Sequence, residues 1–187
     1  MQNWADWFLG RLRYSRNELD AGAQHFRQIV KNRYTAQIST YRDAVAGLAL
    51  IYQIKGESAE ASRMVESISK FDLEQRGHED ERTHSLRARL LLLQADLESA
   101  GRWADTFTGP PPDRPLLWLE EPQVTRARVL IARGTGTDLH NALQILDTLD
   151  EIVERTNNTT YKIEILALRT LALEAQEETS AADAVLK

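Results

Sequence analysis

The feature that most constrains this chain is a spacing. Small residues stand at Gly10, Ala49 and Ala88, each 39 apart, and Ala127 continues the series. A second series runs Gly22, Ala61 and Ala100, again 39 apart, and reaches Ala142 after 42. A fixed period of this length in 187 residues means one structural unit repeated and stacked, because a single copy cannot bury its apolar face alone. The three extra residues before Ala142 fit into "GTGTD", Gly134 to Asp138, since insertions in repeats collect in turns. A fifth copy, "EILALRTLALEAQEETSAADAVL", brings its small residue at Ala181 or Ala182.

Each unit reads as two amphipathic helices joined by a short turn. Gly56 suits the left-handed end of a first helix, and Ser58 the cap of the second; Gly134 and Asp138 repeat those jobs in the fourth unit. Apolar residues recur at helical spacing, as in Phe26, Ile29 and Val30, or Leu143, Ile145, Leu146, Leu149 and Val153. Where two helices cross closely only a small residue lets the backbones approach. Just 9 glycines and 5 prolines argue against an all-β or disordered chain. The expectation is an all-α fold: a right-handed array of about five stacked antiparallel helical hairpins. Such an array is a tetratricopeptide-like solenoid, or α-α superhelix, with residues 1–187 forming one repeat domain. The four leucines Leu90 to Leu93 sweep most of the way round a helix, which predicts packing on several sides there.

Three phrases carry a resemblance: "RARLLLLQADLESAGRWADTF", "EEPQVTRARVLIARG" and "IEILALRTLALEAQEETSAADAVL". They resemble the tetratricopeptide-like helical region of MalT-type regulators, large ATP-binding transcriptional activators of the LuxR class, over nearly the whole chain. The sequence departs from that family's pattern at Ala95 and Glu177, where glycine is usual, so those turns are expected to be tighter or more helical. The resemblance implies a bacterial signal-transduction module whose parent carries a nucleotide-binding domain before it and a helix-turn-helix DNA-binding domain after it. Neither is present here; "RGTGTD" lacks the lysine of a phosphate-binding loop. The apolar start at Trp4, Trp7, Phe8 and Leu9 and the end at "ADAVLK" fit a fragment of a larger protein, or else end helices that are exposed or dimerised.

Several function classes are disfavoured. Without cysteine there is no thiol nucleophile, disulfide or thiolate metal site, which suits a cytoplasmic protein. A net charge of −5 argues against direct nucleic-acid binding by this region, and no apolar run is long enough for a membrane span. His78 and His84 in "HEDERTH" lie six residues apart, so on a helix they diverge by roughly 120° and form no one-face metal pair. That segment is expected to be a solvated connection, "NNTT" from Asn157 to Thr160 a polar turn, and the protein a non-enzyme without cofactor or metal.

Binding residues are expected on the first helices, which line the inner groove of such an array. Register puts Trp4, Trp7, Arg11 and Tyr14 there from the first unit, with Asp43, Leu50 and Gln53 from the second. Arg89 and Arg128 follow from the third and fourth. Arg11, Arg89 and Arg128 share one helical position and form either a guanidinium ladder for carboxylates, phosphates or acidic peptides, or partners for neighbouring acids. The partner is accordingly a protein, a peptide or a small-molecule inducer; the competing class is a scaffold that only holds proteins together. "TGPPPDRP", Thr108 to Pro115, reads as an extended connector before a helix starting near Leu116, with partner docking as its alternative role.

Overall fold

A computed structural model describes residues 2–113, 116–177 and 179–185, and every regular element among them is helical. The chain divides into two compact units, Met1–Gln94 and Ala95–Lys187. The first holds α1 (Gln2–Ser15), α2 (Leu19–Lys31), α3 (Ile38–Ile54), α4 (Ser58–Arg76) and α5 (Glu81–Leu93). In it α1, α3 and α5 lie side by side, and α2 and α4 each pack on the helix before and the helix after. The second holds α6 (Leu97–Thr106), α7 (Pro122–Arg133), α8 (Gly136–Thr156), α9 (Thr159–Ala175) and α10 (Thr179–Val185). There α7 and α9 are neighbours, with α8 packed on both. This is the helical-repeat arrangement expected of the 39-residue period.

The small residues act as the spacing requires. A Cβ on Gly10 would stand 2.6 Å from one edge of the buried Phe26 ring, and one on Gly47 would overlap its opposite edge. Phe26 of α2 is thus wedged between two bare backbones, α1 and α3. At Gly22 an added Cβ would meet the backbone of Gly10 and Tyr14 at 3.2 and 3.3 Å, so α1 and α2 approach as closely as glycine permits. In the fifth repeat it is Ala182 that is buried.

The turns repeat more faithfully than their residues. Asn17, Gly56, Ala95 and Gly134, each 39 apart, all have left-handed backbone, with φ of 60°, 78°, 64° and 69°. Glu177, after α9, adopts the same conformation at 64°. The expected tightening at Ala95 and Glu177 is therefore absent. Each residue keeps the glycine-type conformation because the second helix must leave in the same direction, and accepts the side-chain strain instead.

Other local expectations shift. Glu57, not Ser58, is the N-cap of α4, and it makes no side-chain cap bond. Thr135 caps α8 by accepting from the Asp138 N–H at 3.2 Å, while Asp138 turns back to pair with Arg133. Asp96 caps α6 through the Ser99 N–H at 3.0 Å. The turn expected over Asn157–Thr160 is confined to its two asparagines, Asn157 left-handed and Asn158 capping α9, which already begins at Thr159. Of the four leucines only Leu90 is buried, and Leu93 is 52% exposed at the last position of its helix. The helix expected near Leu116 begins at Pro122, because Glu121 is extended before a proline (φ −123°, ψ 115°). Leu116 joins the core of the second unit with Val124, Leu146, Leu149 and Ile165. The Leu116 and Trp118 carbonyls accept hydrogen bonds from the Asn158 amide and the Tyr161 hydroxyl. Arg114 and Pro115 of the proline run lie outside the described residues.

Candidate functional site

In the first unit, Trp4, Trp7, Phe8 and Arg11 follow one another at helical spacing along one side of α1, which packs against α3. Trp4 and Trp7 meet edge to face at 5.4 Å, and Trp7 and Phe8 at 4.7 Å. Exposure separates them: Trp7 is 3% exposed, Trp4 43% and Phe8 62%. Trp7 anchors the cluster, since its indole N–H donates to Asp43 Oδ2 at 2.6 Å across to α3. Arg11 reaches the same oxygen at 3.4 Å, with its guanidinium carbon 5.0 Å from the centre of the Trp7 ring. Asp43 thus holds an indole and a guanidinium together, and Trp4 and Phe8 stand beside them facing solvent. Leu9 and Leu12 extend this exposed apolar surface.

The remaining first-unit candidates are spread more widely. Tyr14 is half-buried one turn beyond Arg11. Gln53, near the end of α3, accepts from the Gln94 side chain at 2.8 Å. Arg89 is half-buried on α5, next to α3. Leu50, expected on the wall, belongs to the core instead. In the second unit Arg128 pairs with Glu164 of α9 and lies 3.5 Å from Thr125 Oγ1. Arg11 and Arg128 therefore each face an acid from the next first helix, α3 and α9 respectively.

A buried polar network in the first unit is invisible to helical periodicity. Arg42 of α3 donates to Asp72 of α4, with Nε to Oδ1 at 2.7 Å, and contacts Asp80 Oδ2 at 2.9 Å. The other Asp72 oxygen accepts from the Asp80 N–H at 3.0 Å and the Thr83 hydroxyl at 2.6 Å. Asp72 is fully buried and Arg42 nearly so, so the network fastens α3, α4 and the start of α5. Burial pushes the Asp80 carboxyl up, but the Arg82 N–H and the charges of Arg42, Arg82 and Arg76 outweigh it and leave it below the usual range. Beside it, hydrogen bonds from Arg87 above all, helped by Ser69 and opposed by burial, lower Glu79 to about 2. "HEDERTH" is thus no mere solvated connection: Glu79 and Asp80 dock it onto α4 and α5.

The second unit contains a cleft of about 340 Å³ between α7, α8 and Pro111. Ahead of it α6 stops after 10 residues at Thr106. Phe107 then turns extended and buries its ring beside Trp103 at 5.2 Å. Gln123 pins the following loop by donating to the Gly109 carbonyl at 2.6 Å. Arg126 lines the cleft with Asn141, Gln144 and Thr148, over Ile145 and Leu149. The proline run, expected as a connector, thus also walls a cleft through Pro111, which nothing in the sequence pattern signals.

No helix of the described residues is long and apolar enough to cross a membrane. A family model described as the MalT-like TPR region matches residues 1–187, the whole chain. No curated protein and no solved structure is matched.

Proposed function

The chain belongs to the family of MalT-like tetratricopeptide (TPR) regions, and on that premise we propose that it is the non-catalytic recognition module of a bacterial transcriptional regulator of the MalT/LuxR-like class. TPR-type domains generally mediate protein or ligand interactions. The observation that supports a binding role is the α1–α3 face, where exposed Trp4 and Phe8 flank a guanidinium held by Trp7 and Asp43. An inducer or regulatory protein docks there, with Trp4, Arg11, Tyr14, Gln53 and Arg89 as contacts and Trp7 supporting from beneath. Flat rings beside a cation suit a sugar face or an acidic group, and neither use requires catalysis.

In this reading the module works in the cytoplasm without touching nucleic acid. Occupancy of its face changes its contacts with nucleotide-binding and DNA-binding domains in the parent chain. A scaffold that binds only protein is the second reading, favoured by the apolar strip of Phe8, Leu9 and Leu12.

A thermal-shift screen against oligosaccharides, nucleotides, acidic metabolites and acidic peptides separates the two. A ligand at about a hundred times its Kd adds about 2.7 kcal/mol, a rise of several degrees in a chain of this size. Stabilisation by a small molecule supports the sensor, and stabilisation by peptides alone supports the scaffold. No stabilisation by any class contradicts the recognition reading.

A further inference from the structure

We propose that the cleft around Arg126 is a second binding site, for a small organic carboxylate, independent of the first-helix face. In the second unit Arg102 pairs with Glu98, Arg128 with Glu164, Arg133 with Asp105 and Asp138, and Arg169 with Asp147 and Asp150. Arg155 has no acid among the described residues, but it is exposed, where a guanidinium needs no counter-ion. Arg126 is partly buried, and its Nε–H is buried without a hydrogen-bond partner among the described residues. The Phe107 ring stands 5.9 Å from the guanidinium carbon and offers a π face but no acceptor. A partly desolvated guanidinium without a counter-ion is costly in a chain that carries 28 acids against 23 bases.

The rest of the cleft defines the ligand. Asn141 and Gln144 line the cleft, and their side-chain amides, which can both donate and accept, have no partner among the described residues. Ile145, Leu149 and Pro111 supply apolar surface for a short body. One planar cation matches one carboxylate through paired hydrogen bonds. A volume of about 340 Å³ lies at the small end of ligand sites, which suits an acid of the size of phenylpropionate. Gln123, bonded to Gly109, keeps the loop wall in place over the bound acid.

The test is an NMR titration of the whole chain with 3-phenylpropionate and hexanoate, using the corresponding uncharged amides and inorganic phosphate as controls. Saturable shifts are expected at the Arg126 Nε–H and at the Asn141 and Gln144 side-chain amides, with the neutral amides at least about tenfold weaker. Arg126→Gln should lose binding at least about tenfold, and Arg126→Lys, which keeps charge but not the fork, should fall between. The wild-type comparison of acid with amide stands even if a variant folds poorly. Equal affinity for acid and amide, or no saturable shift at these side chains up to about 20 mM, overturns the proposal. So does Arg126→Gln binding as wild type, or inorganic phosphate binding as tightly as the carboxylates.

Discussion

Replacing Ala95 with glycine should stabilise the protein, because the repeat imposes on Ala95 a conformation its side chain resists. Its φ of 64° lies in the left-handed region, where an L side chain costs roughly 1–2 kcal/mol. Glycine removes that strain but loosens the unfolded chain by roughly 0.4–1 kcal/mol. The Ala95 methyl is exposed, so losing it sacrifices no buried area. The net gain is therefore about 0.5–1 kcal/mol, or about 1–4 °C in Tm. Gly56 provides the mirror experiment: its φ is 78°, and a Cβ added there meets nothing within 4 Å. Gly56→Ala should thus lose about the same amount by backbone strain alone. Urea denaturation followed by far-UV circular dichroism measures both, with the midpoint moving and the slope constant. If Ala95→Gly destabilises, or Gly56→Ala is neutral, the inference of a repeat-enforced left-handed turn fails.

The packing and charge readings make further commitments. Gly47→Ala should cost about 1–3 kcal/mol by pressing on the Phe26 ring, and shortening Phe26 to leucine in that background should recover part of the midpoint loss. Asp72→Ala leaves Arg42 buried against fewer partners and should cost about 3–5 kcal/mol; replacing both by apolar residues should cost less, which chemical denaturation of the two variants compares. Acid should weaken the protein at Glu79. Its folded pKa of about 2 lies below the ordinary 4.5, so between these values the unfolded chain binds more protons. The stabilisation is complete above pH 4.5 and is lost as pH falls toward 2; Glu79→Gln should flatten that part of the pH–stability curve in urea titrations at stepped pH.

The close helix approaches and the turns were legible in the period, although Leu50, which register put on the wall, is core. Gly10 and Gly22 meet where the spacing placed them, and the turns at Gly56 and Gly134 are left-handed as their residues suggested. Ala95 and Glu177 defeated local propensity because the neighbouring helices, not the residue, fix the turn. Arg42 and Asp72 are 30 residues apart in the chain, and amphipathic patterning carries no information about such a pair. The Trp7–Asp43–Arg11 contact escaped for the same reason: register put all three on one wall without saying that Trp7 would sink and Asp43 would bridge. The late start of α7 was readable, since Pro122 marks it, but the apolar run before it looked helical. The Arg126 cleft depends on Gln123 reaching the Gly109 carbonyl, 14 residues away, a contact that patterning does not show.

The recognition reading is tested most directly by calorimetry with the ligand that gives the largest thermal shift, comparing the wild-type protein with Arg11→Ala and Arg89→Ala. At least about a tenfold loss of affinity is expected for each, with far-UV circular dichroism showing that each is folded. Unchanged affinity in both variants would contradict it.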